Sequence, residues 1–186
     1  MKTVLLIRHG STAGNLERRY IGRTDEELCQ LGIEQAQALN GLQADVLFVS
    51  PMARTRQTAA IAFPGMEQTL IPDLRETDFG IFEGLTANEL TENSAYRSWV
   101  DSNCEAPIPG GEAVSVFKAR CVAAFQAAIE TVADGQTAAF VIHGGCIMAI
   151  LEALACPKQD FYAYHIGNGR FLTATFDGKE LVLLGK

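Results

Sequence analysis

Two histidines and two arginines stand where they could do chemistry. An apolar run at residues 4–7 stops at Arg8-His9-Gly10. A second, Val46–Val49, stops at Ser50-Pro51-Met52-Ala53-Arg54, and a third, at residues 138–142, stops at His143-Gly144-Gly145. Short continuous apolar runs read as strands buried on both faces. In open α/β sheets, ligands bind outside the carboxyl ends of such strands. With the three strands as parallel neighbours, Arg8, His9, Arg54 and His143 meet at one rim. Two guanidiniums and two imidazoles repel one another unless an anion joins them, and phosphate suits the bidentate arginine fork. A lone His or Arg at a strand end is an ordinary surface residue. The set is informative because only three histidines occur and two have the strand-His-Gly setting.

The elements that must position these residues alternate strand and helix. In 30–42, Leu31, Ala36, Leu39 and Leu42 lie at roughly helical spacing. Ser50-Pro51 reads as N-cap and N1 proline of a helix running to about Ala62. A third strand is expected at 68–71. A long helix is expected over 112–132, with Val116, Ala119, Val122 or Ala123, and Ala127 on one side. A helix follows His143-Gly144-Gly145 to about Ala155, and Pro157 forbids simple continuation. Residues 171–184 read as a β-hairpin around Asp177-Gly178. This order predicts an α/β fold, a three-layer α/β/α sandwich with a mostly parallel central sheet and a small helical cap insertion. Residues 1–186 form one domain. Within it the irregular stretch 77–111, with one helix expected at 87–91, is the insertion that covers a site.

Composition narrows the partners. A net charge of -7 makes the chain a poor binder of nucleic acid or anionic membranes, whose surfaces call for Lys and Arg. A small phosphorylated metabolite still fits, given a locally positive pocket; a homodimer stays open. Five cysteines with no C-x-x-C predict buried free thiols, neither a disulfide framework nor a zinc site. The first apolar run is too short for a signal peptide, Arg8-His9 interrupts it, and no later stretch approaches a membrane span, so a cytoplasmic protein is expected. No cysteine-phosphatase loop, G-x-S-x-G, Walker loop, H-E-x-x-H or G-x-G-x-x-G occurs.

The stretch Leu6-Ile7-Arg8-His9-Gly10-Ser11-Thr12-Ala13-Gly14-Asn15 resembles the R-H-G-x-T-x-x-N signature of the histidine phosphatase superfamily, the phosphoglycerate-mutase-like group. Ser50-Pro51-Met52-Ala53-Arg54-Thr55-Arg56-Gln57-Thr58-Ala59 is similar to its S-P-x-x-R-x-x-x-T-A element. The run from Leu74-Arg75-Glu76 to Glu83-Gly84 resembles its L-x-E-x-x-x-G-x-x-E-G element. Pro109-Gly110-Gly111-Glu112 and Val141-Ile142-His143-Gly144-Gly145 complete the set in family order. The resemblance implies that His9 is a nucleophile forming a phosphohistidine and that Arg8, Arg54 and His143 hold the phosphoryl oxygens. Asn15 and a backbone N–H near Gly144 add neutral donors. Glu76 protonates the leaving oxygen and then activates water. To attack as a neutral ring, His9 must donate its other nitrogen to a carbonyl. No metal and no other cofactor is implied, because the clamp is already cationic. Glu83 is read as structural or cap-anchoring, Arg56 as solvated or structural, Cys146 as a small buried residue, and Gly167-Asn168-Gly169 as a turn. His165 either lines the substrate mouth or is structural.

The segment from Arg18 to Leu28 resembles the family's Y-x-G-x-x-D element, with Gly22 in the phosphate- and substrate-binding set. Its R-Y-x-G-R-T-D form is similar to α-ribazole-phosphate phosphatases of cobalamin assembly. Ala113 stands where a serine often follows P-G-G-E, and Met148 where an arginine is common after H-G-G-x-I. The expectation is a metal-independent phosphomonoesterase acting on α-ribazole 5′-phosphate. The alternatives are a broad-specificity phosphatase of small phosphate esters, a phosphoglycerate mutase, and a non-catalytic phospholigand-binding module. The short span between Glu76 and Glu112 argues against a mutase. The retained nucleophile, clamp and acid argue against a module.

Overall fold

Alternation along the strands decides the layers. The structure is a computed structural model that describes residues 1–184. Strand β1 is Lys2–Arg8, and its successive side chains point to opposite faces. Val4 and Leu6 enter one buried cluster, Leu5 and Ile7 the other. The sheet continues with β2 (Val46–Val49), β3 (Thr69–Leu70) and β4 (Thr137–Ile142) and ends in the hairpin β5 (Phe171–Phe176) and β6 (Leu181–Leu183). Its order is β3-β2-β4-β1-β5-β6. β1, β2, β3 and β4 pair in parallel, and β5 is antiparallel to β1 and β6. The register sets Arg8 beside Ile142 and Val49 beside Val141, so the next residues of all three strands open on one rim.

Among the described residues there are seven α-helices: α1 (Ala13–Leu16), α2 (Gln30–Gln37), α3 (Ala53–Ala62), α4 (Ala87–Leu90), α5 (Ser94–Asp101), α6 (Val114–Glu130) and α7 (Gly144–Leu154). α6 and α7 bury Phe117, Phe125, Ile129, Ile147 and Ile150 against Val4, Leu6 and Phe140. On the other face α3 packs Ala59 and Ala62 on Leu5, Ile7 and Val141, with α2 alongside. The result is the three-layer α/β/α sandwich with a mostly parallel sheet. Among the described residues no helix is long and apolar enough to cross a membrane.

The structure corrects several expected elements. α3 starts at Ala53, with Met52 as N-cap and no side-chain cap bond, because Ser50 is drawn to a buried imidazole instead. β3 keeps only two residues. α2 stops at Gln37 and leaves Leu31 exposed, while Leu39 reaches the core from the following turn. The inner side of α6 is Phe117, Cys121, Phe125, Ala128 and Ile129, whereas Val116, Ala119, Ala123 and Ala127 are exposed. Aromatic rings remove more apolar area from water than Val or Ala, so the bulky set takes the core face. The helix α5 forms where irregular chain is expected. Asn93 caps it by accepting from the N–H groups of Ala95 and Tyr96. Tyr96 and Trp99, one turn apart, then pack with Phe82, Leu90 and Ile108 in a third cluster.

Candidate active site

His9 lies just past β1 with only 4% of its surface exposed. Its Nδ1 is 2.7 Å from the Gly10 carbonyl oxygen. A carbonyl only accepts, so Nδ1 carries the proton and Nε2 keeps the lone pair. Burial, and then the charges of Arg54 and Arg8, hold the ring well below its usual pKa against the opposing pull of that carbonyl. The backbone is fixed as well. The His9 N–H donates to Ile142 at 3.1 Å, and the Gly10 N–H donates to Thr58 Oγ1 at 3.0 Å.

Arg54 is 1% exposed. Its Nη1 donates to the Thr24 carbonyl at 2.7 Å and its Nη2 to the Gly22 carbonyl at 2.9 Å. That loop is itself ordered by Glu83, which accepts from the N–H groups of Gly22 and Arg23 and from the Thr24 hydroxyl. Gly22 therefore stands behind Arg54, with both of its backbone groups engaged. Arg8 Nη1 donates to the Ile166 carbonyl at 2.7 Å and lies 3.2 Å from His165 Nε2, while its Nε is buried without a partner. The His143 ring sits 5.1 Å from that of His9, with Nε2 at 2.7 Å from Ser50 Oγ and Nδ1 buried without a partner. Burial, Arg54, His9 and Arg8 hold it well below its usual pKa. Both guanidiniums are pulled down by burial and supported by Glu76; they stay charged.

Glu76 faces this cluster from the N-terminus of α7. Its Oε2 accepts from the Gly145 N–H and its Oε1 from the Thr77 N–H, both at 3.0 Å. A side chain on Gly145 would collide with that carboxylate, and one on Gly144 would come within 3.3 Å of the Arg8 guanidinium. Glycine at 145 thus lets the acid reach the helix end, and glycine at 144 leaves room for the cation. Arg120 braces the segment carrying Glu76: it donates to the carbonyls of Asp73, Arg75 and Glu76 while paired with Glu112. Asn15 Oδ1 accepts from the Thr12 N–H and from Asn168 Nδ2, which leaves its own amide N–H groups to donate. Arg8, Glu76, Gly144 and Gly145 line one end of a cavity of about 690 Å³.

Arg8, His9, Asn15, Arg54, Glu76, His143 and Gly144 thus come together, and Gly22 supports one of them from behind. Other residues join the site that sequence alone does not mark. Ser50 holds His143, Thr58 holds Gly10, and Asn168 donates to the His9 carbonyl at 3.2 Å, so the turn Gly167-Asn168-Gly169 is part of the frame. Ser50 and Thr58 do sit inside the S-P-x-x-R-x-x-x-T-A element; Asn168 had no signal beyond turn composition. Cys146 is fully buried and donates to the Leu74 and Arg75 carbonyls, and Arg56 is exposed.

The two neutral imidazoles set a pH dependence. Below pH 6.5 the unfolded chain takes up protons on His9 and His143 that the folded chain refuses, so stability rises with pH across that window and is lost as pH falls through it. The thermal midpoint is expected to drop between about pH 7 and pH 5, above the ordinary carboxylate range. A flat midpoint there is the contrary result.

A family model described as the histidine phosphatase superfamily (branch 1) matches residues 4–185. A curated relative, the probable phosphoglycerate mutase GpmB of Yersinia pestis (strain Pestoides F), is 33% identical over 165 residues, covering 83% of this chain and 76% of the relative. Among solved structures, one described as a candidate alpha-ribazole-5′-P phosphatase from Escherichia coli K-12 superposes with a TM-score of 0.88 at 26% identity, covering 98% of this chain and 94% of that one. The alpha-ribazole phosphatase from Shigella flexneri gives 0.86 at 26% identity, covering 97% and 94%.

Proposed function

The chain belongs to the histidine phosphatase superfamily, and from that premise we propose that it hydrolyses phosphate monoesters through a phosphohistidine on His9. The observation that carries this is the Nδ1 bond of His9 to the Gly10 carbonyl, which presents a neutral Nε2 beside the buried Arg54 guanidinium and the half-buried one of Arg8. Nε2 attacks phosphorus; a P–N bond forms as the ester P–O bond breaks. The electron pair leaves on the ester oxygen, which takes a proton from the Glu76 carboxyl. Water then gives a proton to the Glu76 carboxylate and attacks phosphorus. The P–N pair returns to Nε2, and phosphate departs with the acid restored.

Arg8 and Arg54 meet the charge on the equatorial oxygens. With Ser50 donating to His143 Nε2, the Nδ1–H of His143 joins them, as do Asn15 Nδ2 and the Gly144 N–H. The segment 77–111 acts as the cap of this site. Because the clamp is cationic, phosphate release is expected to persist in EDTA.

The substrate reading is α-ribazole 5′-phosphate. It is supported by the Arg19-Tyr20-Ile21-Gly22-Arg23-Thr24-Asp25 segment, by the names of the two structural neighbours, and by a cavity roomy enough for a nucleoside. The mutase-named relative is longer, with 76% of it covered against 94% of either neighbour. The test is phosphate release in EDTA from α-ribazole 5′-phosphate against sugar, nucleotide and glycerate phosphates. A strong preference for the first supports the reading; even, modest turnover across the panel would reduce it to a broad-range phosphomonoesterase.

A further inference from the structure

Beyond Arg8 and Glu76 the cavity runs between the 77–111 segment and the helices α6 and α7. Its walls there are apolar, built from Phe79, Trp99, Phe117, Met148 and Phe161. Its ionised groups are Glu105, Glu152 and Asp160 against Lys118. Lys118 Nζ lies 3.0 Å from both Glu105 Oε1 and Glu152 Oε2, and 4.6 Å from the centre of the Phe161 ring. Its charge is already more than matched by the two carboxylates that it pairs with. His165 is held neutral by partial burial and by Arg8. The cavity therefore has two unlike ends. The inner one is cationic, from Arg8 with Arg54 behind it, and the outer one is net negative. Aromatic walls lower the local dielectric and keep the difference from being washed out by water.

We propose that the outer end is a charge filter for the leaving group. It admits monophosphates whose leaving group is neutral or cationic and apolar or aromatic, and it disfavours those bearing a second negative charge. Glu105 and Glu152 are its specificity-determining residues, and Lys118 positions them. The opposed ends also orient a substrate phosphate-first. This inference rests on the hydrolytic reading above and sharpens it: a carboxylate or second phosphate meets like charge where an aromatic, uncharged group meets rings.

The test compares 4-carboxybenzyl phosphate with its neutral amide, 4-carbamoylbenzyl phosphate, whose leaving groups are closely matched. At low ionic strength the amide is expected to have a kcat/KM roughly tenfold higher, and the ratio should shrink as salt screens the pair. The double variant Glu105→Gln/Glu152→Gln should bring the ratio to within about twofold of one, while Lys118→Met should widen it. A ratio near one for the unmodified protein, or a preference for the carboxylate, with phosphate released from both esters, would overturn the filter alone. Release from neither ester would overturn the hydrolytic reading and the filter with it.

Discussion

His9→Ala is expected to lower phosphate release by about 10⁴-fold or more and to abolish phosphoenzyme altogether. The argument is geometric. Among the described residues, the only imidazole whose tautomer is fixed by a carbonyl is that of His9, and that tautomer leaves Nε2 unprotonated. His143 has its Nε2 on Ser50 and cannot substitute without breaking a buried bond of 2.7 Å. Cys146, three residues past His143, is fully buried, and burial pushes its thiol well above its usual range. The variant should fold, because the His9 side chain bonds only to the carbonyl of its own neighbour and its loss leaves no other side chain without a partner. The measurement is rapid quenching with ³²P-labelled substrate. Wild type should carry acid-labile, alkali-stable label, and His9→Ala none. Label that survives in His9→Ala would move the nucleophile elsewhere.

Much of this site was legible because its residues sit at strand ends, and strand ends are marked by an abrupt change in hydropathy. Ile7 to Arg8 and Ile142 to His143 are such steps, and the parallel pairing of β1 with β4 turns two distant tripeptides into neighbours. Arg54 was legible for the same reason, in the first turn of the helix that follows β2. What sequence could not give is the set of residues that act through others. Nothing in the type or spacing of Asn168 says that it reaches the His9 carbonyl across the sheet, because that contact exists only once β5 lies antiparallel to β1. Arg120 is equally silent: it sits on α6 between the exposed Ala119 and the buried Cys121, and its three carbonyl contacts come from a segment 44 or more residues away. Ser50 reads from sequence as a helix end because Ser-Pro favours one. Satisfying the buried His143 ring outweighed the cap, since an orphaned polar atom in the core costs about 1–3 kcal/mol and an unmade cap about 1 kcal/mol. The inner side of α6 is not legible from spacing, because periodicity alone does not weigh Phe117 and Phe125 against the alanines between them.

Glu76→Gln separates two chemical duties by leaving group. The carboxyl is held by the N–H groups of Gly145 and Thr77, each at 3.0 Å, so an amide can keep one of these bonds through its oxygen and holds nearly the same position. It can neither give the leaving oxygen a proton nor take one from water. An alkyl phosphate, whose alkoxide leaves poorly, is expected to lose about 10²–10⁴-fold in the first step. An aryl phosphate with an activated phenol needs no proton there and should still phosphorylate His9 quickly. Its turnover must then stall at the second step, where water lacks its base. The expected record with p-nitrophenyl phosphate is a burst of one equivalent of nitrophenol followed by a slow steady state, with phosphohistidine accumulating. Equal losses for both esters without a burst would show that Glu76 supports the site without handling protons. A burst with an unslowed steady state would assign the base to another group, and the acid role would stand alone.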